Sequence, residues 1–265
     1  MIKLDKQEDV LFLQRLEDLA LRCRERYTPE FTHFLDGRAL RIAKDYLSGY
    51  KDDVLVVTFG GFDNAERQVV GLFPKDVYGY EGFEEKSLFE MFEICGVVID
   101  GSGFSSFSHR DVMGSVLGLG IKRETVGDIF VTDDGHKAYI CLDKVTGEYI
   151  RTNLEFVSRD KVKVSVTEPC MLPKIEKKFS VITGTVASER LDCLVAMMIN
   201  ISREKAKLLI TGGLVSVNHF EELKCDANLC EDDVISIRGY GRFILKEFGG
   251  VTRKGRNRVV VHKMI

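Results

Sequence analysis

Tryptophan is absent from the 265 residues, and only four prolines occur. No apolar run approaches the ~20 residues that a membrane-spanning helix needs, so no membrane association is expected. The start, Met1-Ile2-Lys3-Leu4-Asp5, lacks the basic beginning and apolar stretch of a signal peptide, and a cytoplasmic chain is expected. Seven cysteines, at 23, 95, 141, 170, 193, 225 and 230, include no Cys-x-x-Cys. Their odd number and scattered spacing argue against a disulfide framework or a zinc site, and predict reduced, mostly buried thiols. The histidines at 33, 109, 136, 219 and 262 are too dispersed for a metal motif. No Gly-x-x-x-x-Gly-Lys-Ser/Thr loop is present, which argues against nucleotide hydrolysis. No cofactor and no metal are expected.

What is present is the profile of a globular protein: 45% apolar and 30% charged residues, in a length that allows two or three domains. Charge is unevenly spread. Residues 1–100 hold 13 Lys+Arg against 20 Asp+Glu, residues 101–180 hold 12 against 11, and residues 181–265 hold 13 against 10. Residues 238–263 alone carry eight basic residues against one acid, Glu247. A local cationic excess binds polyanions whatever the net charge of −3, because fields decay over a Debye length of ~8 Å in physiological salt.

The pattern predicts an α+β protein of three small domains, at 1–88, 89–172 and 173–265. In the first, acidic one, Val10, Leu11, Leu13, Leu16, Leu19 and Ala20 repeat at helical spacing, and a second helix runs from Gly37 to Leu47. Strands at 53–58 and 68–73 flank a glycine-rich turn. The middle domain reads β-α-β-β-α-β, the split order of ferredoxin-like and RNA-recognition folds, with Ser108 and Asp111 as a capping box and a helix from 143 to 156 weakened by Thr146-Gly147. Tyr139 is a poor match for the base-stacking aromatics of an RNA-recognition sheet. The Glu168–Pro173 stretch, with two prolines, reads as a linker. In the last domain Ser188 is the expected N-cap of a helix bearing Leu191, Leu194, Val195 and Met198. Ser202 caps a second helix with Ala206, Leu209 and Ile210 inward, and Arg258–His262 alternates like a strand pairing with Phe243–Leu245.

Arg190-Leu191-Asp192, then Ser202-Arg203, Gly213, Val217-Asn218 and Asp232-Asp233-x-Ile235-x-Ile237, resemble the RNA-binding domain named after ribosomal protein S-four. That resemblance implies two packed helices against a small bulged sheet. Its RNA surface carries over to Arg190, Ser202, Arg203, Lys205, Lys207 and Asn218. His219 departs from the family, which usually has glycine there. The basic tail adds Arg238, Arg253, Lys254 and Arg256 as candidate phosphate contacts. Upstream, the segment Ser108-His109-Arg110-Asp111 through Lys122-Arg123 to Gly127-Asp128-Ile129 resembles the YlmH family of bacterial RNA-binding proteins. This implies three-part organisation, association with the large ribosomal subunit in rescue of subunits blocked by peptidyl-tRNA, and genes that often lie beside those of cell division. Structured RNA (ribosomal RNA, and tRNA) is the implied partner of a monomer without DNA specificity. His109, Arg110, Lys122 and Arg123 are further candidate contacts; in the competing reading Arg110 pairs with Asp111 or Asp128 and braces the fold.

Such RNA-binding domains also accompany RNA-modifying enzymes, so the alternative is a pseudouridine synthase or methyltransferase with its catalytic part in residues 1–170. Against it, Gly101-Ser-Gly103 and Gly118-Leu-Gly120 lack the third glycine of a dinucleotide fingerprint. Asp192, which superficially follows an Arg-Leu pair as a synthase aspartate would, falls on a helix of the RNA-binding domain.

Overall fold

The computed structural model describes residues 7–80, 85–174, 178–253 and 255–265. It divides into two compact units, 1–175 and 176–265. The first expected boundary, at 88/89, runs through a shared apolar core in which Phe34, Val57, Phe62 and Phe73 pack with Ile94, Cys141 and Leu172. The Glu168–Pro173 stretch is therefore packed rather than a free linker: it forms a 3-10 turn at Pro169–Met171, and Leu172 is buried in that core.

In the first unit α1 (Gln7–Arg26) buries Leu16, Ala20 and Cys23 along one stripe. The stripe faces a sheet of β1 (Glu30–Phe31), β2 (Val54–Phe59) and β3 (Val69–Pro74), in order β1-β3-β2. α2 (Gly37–Leu47) starts at Asp36, whose carboxylate accepts the Ala39 N–H at 2.9 Å. Two short helices, α3 (Lys75–Tyr78) and α4 (Glu85–Phe89), lead to β4 (Ile94–Asp100). Then come α5 (His109–Gly118), β5 (Val126–Val131), β6 (Lys137–Asp143), α6 (Lys144–Asn153), the small hairpin β7 (Phe156–Val157) and β8 (Asp160–Lys161), and β9 (Lys163–Thr167). The expected capping box forms: Ser108 Oγ accepts the Asp111 N–H while Asp111 accepts the Ser108 N–H. Gly147 does not break α6; a Cβ there would collide with Cys95 Sγ, so close packing onto the sheet requires the glycine.

The sheet runs β5-β6-β4-β9, antiparallel throughout. Its alternation covers both faces. Cys95, Val97, Ile99, Ala138, Ile140 and Leu142 meet the helices. Ile94, Val98, Phe130, Tyr139 and Cys141 meet the phenylalanines of the preceding segment, with Phe62 edge-on to Phe130 at 4.9 Å.

The second unit holds β10 (Phe179–Val186), α7 (Leu191–Met198), α8 (Arg203–Thr211), β11 (Val215–Val217), β12 (Phe220–Glu221), β13 (Val234–Ile237), β14 (Gly241–Val251) and β15 (Asn257–Met264). The sheet order is β10-β15-β14-β13-β11-β12. Leu191, Leu194, Val195, Ala206 and Ile210 from the helices fill its core with Val215, Ile235, Phe243 and Val261. The expected tail hairpin is present, with Phe243 opposite Lys263, Leu245 opposite Val261, and irregular register after Leu245 and Gly249. β15 also pairs with β10 along its whole length, so the tail is an interior strand. Ser188 is not the cap of α7. The Leu191 and Asp192 N–H groups instead donate to the carbonyls of Ala227 (2.8 Å) and Cys225 (3.0 Å), and Ser188 Oγ lies against Cys193 Sγ.

Candidate nucleic-acid interface

Asp192 is 0% exposed and charged, which is costly unless the charge is compensated. Arg203 donates to it from Nε (2.9 Å) and Nη2 (3.2 Å); Arg190 does so at 3.3 and 3.5 Å. Burial pushes the Asp192 carboxyl up, but the Arg203 and Arg190 hydrogen bonds outweigh it and hold the group below the usual carboxylate range. The hydrogen bond to Asp192 raises the Arg203 guanidinium in turn. One carboxylate thus orients two guanidiniums whose side chains stay 39% and 45% exposed. The trio retains one net positive charge, and each guanidinium keeps N–H donors that Asp192 does not use.

α8 supplies the neighbouring groups. Ser202 spends its hydroxyl on the Lys205 N–H at 3.3 Å, which fixes the helix start rather than leaving the oxygen free. Lys205 is exposed, and Lys207 meets Glu204 at 3.2 Å. Arg256 is held by Thr185, Nε to Oγ1 at 3.0 Å and Nη2 to the carbonyl at 2.6 Å. Arg203 and Arg256 line one cleft of about 510 Å³ together with Thr183, Thr185 and Asn200. Arg238 is exposed beside a second cleft of about 610 Å³ that includes Arg242 and Ser216. Arg253 is exposed, and Lys254 lies outside the described residues.

Besides Ser202 and Arg256, two further expected contacts, Asn218 and Arg123, have their side chains committed to the fold. Asn218, at φ +49°, donates from Nδ2 to Asp233 (2.7 Å) and accepts the Val234 N–H (3.0 Å), bracing the turn. His219 follows it at φ +72°, where glycine is the unstrained choice. Arg123 turns its guanidinium to the carbonyls of Val126 and Gly127, and burial together with the Arg67 charge pulls it down to about 10. Arg67, a residue that the motifs did not single out, donates to the carbonyls of Val126 (2.8 Å), Phe34 (2.9 Å) and Arg123 (3.2 Å). Asp128 accepts the backbone N–H groups of Glu66 and Arg67, and Asp111 is occupied by Ser108. Arg110 is exposed, Lys122 lies 3.8 Å from Glu124, and His109 is held below its ordinary range by burial and by the Arg123 charge. The structure thus gathers Arg190, Ser202, Arg203, Lys205 and Lys207 at the two helices of the second unit, while His109, Arg110, Lys122 and Arg123 stand in the first. Among the described residues no cluster of three His, Cys, Asp or Glu is placed to hold a metal, and no helix is long and apolar enough to cross a membrane. All seven cysteines are free thiols, four of them buried; burial pushes Cys23 up to about 11 and Cys95 up to about 12.

Comparison with known proteins bears on the first unit by a family model and on the whole chain by a relative. Residues 89–169, the split β-α-β part of the first unit, match the family model described as "Putative RNA-binding domain in YlmH". The chain is 28% identical over 261 residues to the "Ribosome-associated protein quality control protein P2" of Bacillus subtilis (strain 168), covering 97% of this chain and 96% of that protein. Among solved structures it is similar to "Cell division protein ylmH from Streptococcus pneumoniae", with a TM-score of 0.51 and 23% identity over 63% of this chain and 94% of that one, a likeness of fold. The family model covers residues 89–169, and the likeness to the Bacillus protein runs over nearly the whole of both chains.

Proposed function

We propose that the chain is a non-enzymatic RNA-binding protein of ribosome quality control, whose second unit is an RNA-binding module of the ribosomal protein S-four type. The single observation that carries this is the Arg190–Asp192–Arg203 clamp, in which a buried carboxylate is spent on aiming two half-exposed guanidiniums outward. Preformed guanidinium edges suit phosphate oxygens, which position a protein on RNA without reading its sequence. Lys205, Lys207, Arg238 and Arg253 add cations in the same unit, and Arg256, whose Nε and Nη2 are held by Thr185, adds its charge beside Arg203. Affinity then comes mainly from phosphate contacts and specificity from the shape of folded RNA. The name of the Bacillus relative and the matched RNA-binding model support a ribosomal setting. The particle we assign is the large subunit, with ribosomal RNA and tRNA as ligands of a cytoplasmic monomer.

The test is sedimentation of the tagged full chain with ribosomal subunits through a sucrose gradient. It is expected to travel with the large subunit at low ionic strength and to be released as salt rises. Folded protein that leaves ribosomal RNA unbound at low salt overturns the proposal. A new modified nucleoside, seen by mass spectrometry of RNA after incubation, would return the chain to the RNA-modifying enzymes.

A further inference from the structure

The face on which an RNA-recognition sheet would stack bases is closed here, because Phe130 and Tyr139 pack against the phenylalanines before β4. An aromatic stands free elsewhere in the same matched segment. Phe104 is 97% exposed, at the tip of the Gly101–Ser106 loop between β4 and α5. Exposing a whole phenylalanine is unfavourable in an isolated chain, and a floppy loop would fold it back onto apolar surface. This loop is not floppy. Asp160, 5% exposed, accepts the Ser102 N–H at 2.9 Å and the Ser102 hydroxyl. The Phe104 N–H donates back to Ser102 Oγ at 3.3 Å. On the far side His136 Nδ1 donates to the Ser105 carbonyl (3.1 Å), and the N–H groups of Gly101 and Phe107 donate to His136 and Gly135. A Cβ on Gly101 would sit 2.7 Å from the Asp160 carboxylate, and one on Gly135 2.7 Å from Ser106 Cβ, so the loop and the β5–β6 turn interlock.

The surroundings select the kind of partner. A phenylalanine that docks into a protein normally lies within an apolar patch; the exposed loop residues on either side of this one are Ser102, Gly103, Ser105 and Ser106. The strand end that launches the loop, Asp100, lies between Lys137 and Lys163 on the two neighbouring strands, with Lys137 at 2.7 Å. Arg159 and Lys161, both exposed, flank Asp160. Four acids, Asp100, Asp133, Asp134 and Asp160, balance these four cations; Asp100 pairs with Lys137, Asp160 accepts from the loop, and Asp134 accepts from Thr132 and His136. An isolated ring with open faces, on a braced loop of a segment that matches an RNA-binding family model, fits an unstacked nucleobase, because every base has a π-face.

We infer that Phe104 is an RNA contact, a preset platform on which one unpaired base of the ligand stacks. This rests on the RNA-binding reading above and adds a second, non-electrostatic contact in the first unit. The missing tryptophan supplies the probe: Phe104→Trp places a single indole at the loop tip. With deproteinised bulk ribosomal RNA, Phe104→Trp is expected to bind like the unaltered chain, with its fluorescence quenched on binding. Phe104→Ala is expected to bind roughly tenfold more weakly. Its log–log salt slope should be unchanged, since stacking releases no counterions. Circular dichroism and melting of both variants should match the unaltered chain, because the side chain packs on nothing. Equal affinity of Phe104→Ala and the unaltered chain overturns the inference while leaving the RNA-binding reading intact. Quenching by RNA-free ribosomal proteins but not by the RNA also overturns it, and makes Phe104 a protein-docking residue. If the unaltered chain does not bind the RNA at all, the RNA-binding reading fails first and takes this inference with it.

Discussion

One pair of arginines in each unit is used in the opposite way to the other, although the first unit also holds Arg38 on the buried Asp9 carboxylate at 2.7 Å. In the first, Arg67 and Arg123 turn their guanidiniums onto backbone carbonyls, and burial lowers the pKa of both. In the second, Arg190 and Arg203 share one buried carboxylate, which raises Arg203, and their outer edges remain in water. The charge balance runs in parallel: residues 1–175 hold 23 Lys+Arg against 30 Asp+Glu, residues 176–265 hold 15 against 11. Neither count alone identifies a phosphate-binding surface. A cation is available to a ligand only if its donors are not already spent on the fold. By that measure Arg123 is a brace and Arg203 a presented group, though both are arginines beside a helix.

The harshest way to break the comparison is to remove residues 251–265. That deletes β15, which lies between β10 and β14, and leaves both neighbours with unpaired edges. The second unit should unfold completely while the first keeps its own melting transition. Calorimetry and circular dichroism check this; a truncated chain that keeps both transitions would show that β15 is dispensable, and one that loses both would make the two units a poor description. Weaker binding by such a variant says nothing about the tail as a phosphate clamp.

Next in size is Phe62→Ala. Phe62 is 9% exposed and joins the segment before β4 to the sheet through Phe130. Truncating a buried phenylalanine costs about 3 kcal/mol or more. The loss should appear in one cooperative transition for residues 7–174, measured by urea unfolding with two probes. Two separated transitions would instead favour the independent domains that the sequence suggests at 1–88 and 89–172.

That disagreement marks where the sequence stops being legible. Local signals carry far: Ser108 and Ser202 start helices where their side chains find N–H groups three residues on, and Asp36, which the sequence reading passes over, does the same. That β4 and β6 are strands is readable too, but not what covers their second face, since the phenylalanines that do so come from segments at 31–34, 59–62 and 89–92. Ser188 failed as a cap because the carbonyls that close α7 belong to Cys225 and Ala227, far along the chain. Asn218 was visible as a turn residue, whereas its bond to Asp233 needed the sheet to form first. The composition of the arginine pair was plain in Arg190-Leu-Asp192 and Ser202-Arg203, but that both serve one carboxylate is a property of the helix packing.

Asp192→Asn separates charge from orientation. It removes an anion from a cationic surface, so simple attraction predicts tighter RNA binding. Loss of the clamp predicts the reverse, because both guanidiniums gain rotational freedom that binding must then freeze. We expect binding several-fold weaker. The same substitution should flatten the pH dependence of stability. The folded Asp192 carboxyl lies below its unfolded value of ~3.9, so its contribution is complete above that pH and fades as pH falls through the folded value. Acid titrations of the two proteins, followed by circular dichroism, should therefore diverge at pH 4 and above and converge at lower pH.

The smallest expected effect is the sharpest comparison of the two units. Replacing Arg203 and Lys207 together by alanine should reduce the salt slope of RNA binding by roughly one for each phosphate that is no longer neutralised. Lys207 contributes the smaller share, since Glu204 at 3.2 Å already neutralises part of its charge. Arg123→Ala in the first unit should lower stability, because the carbonyls of Val126 and Gly127 are left without that donor, yet leave the slope where it was. Filter binding across a salt series, paired with thermal melts, reads both quantities on the same samples. If Arg123→Ala changed the slope as much as the Arg203 and Lys207 pair does, donors spent on the fold would be no guide to which arginines meet RNA.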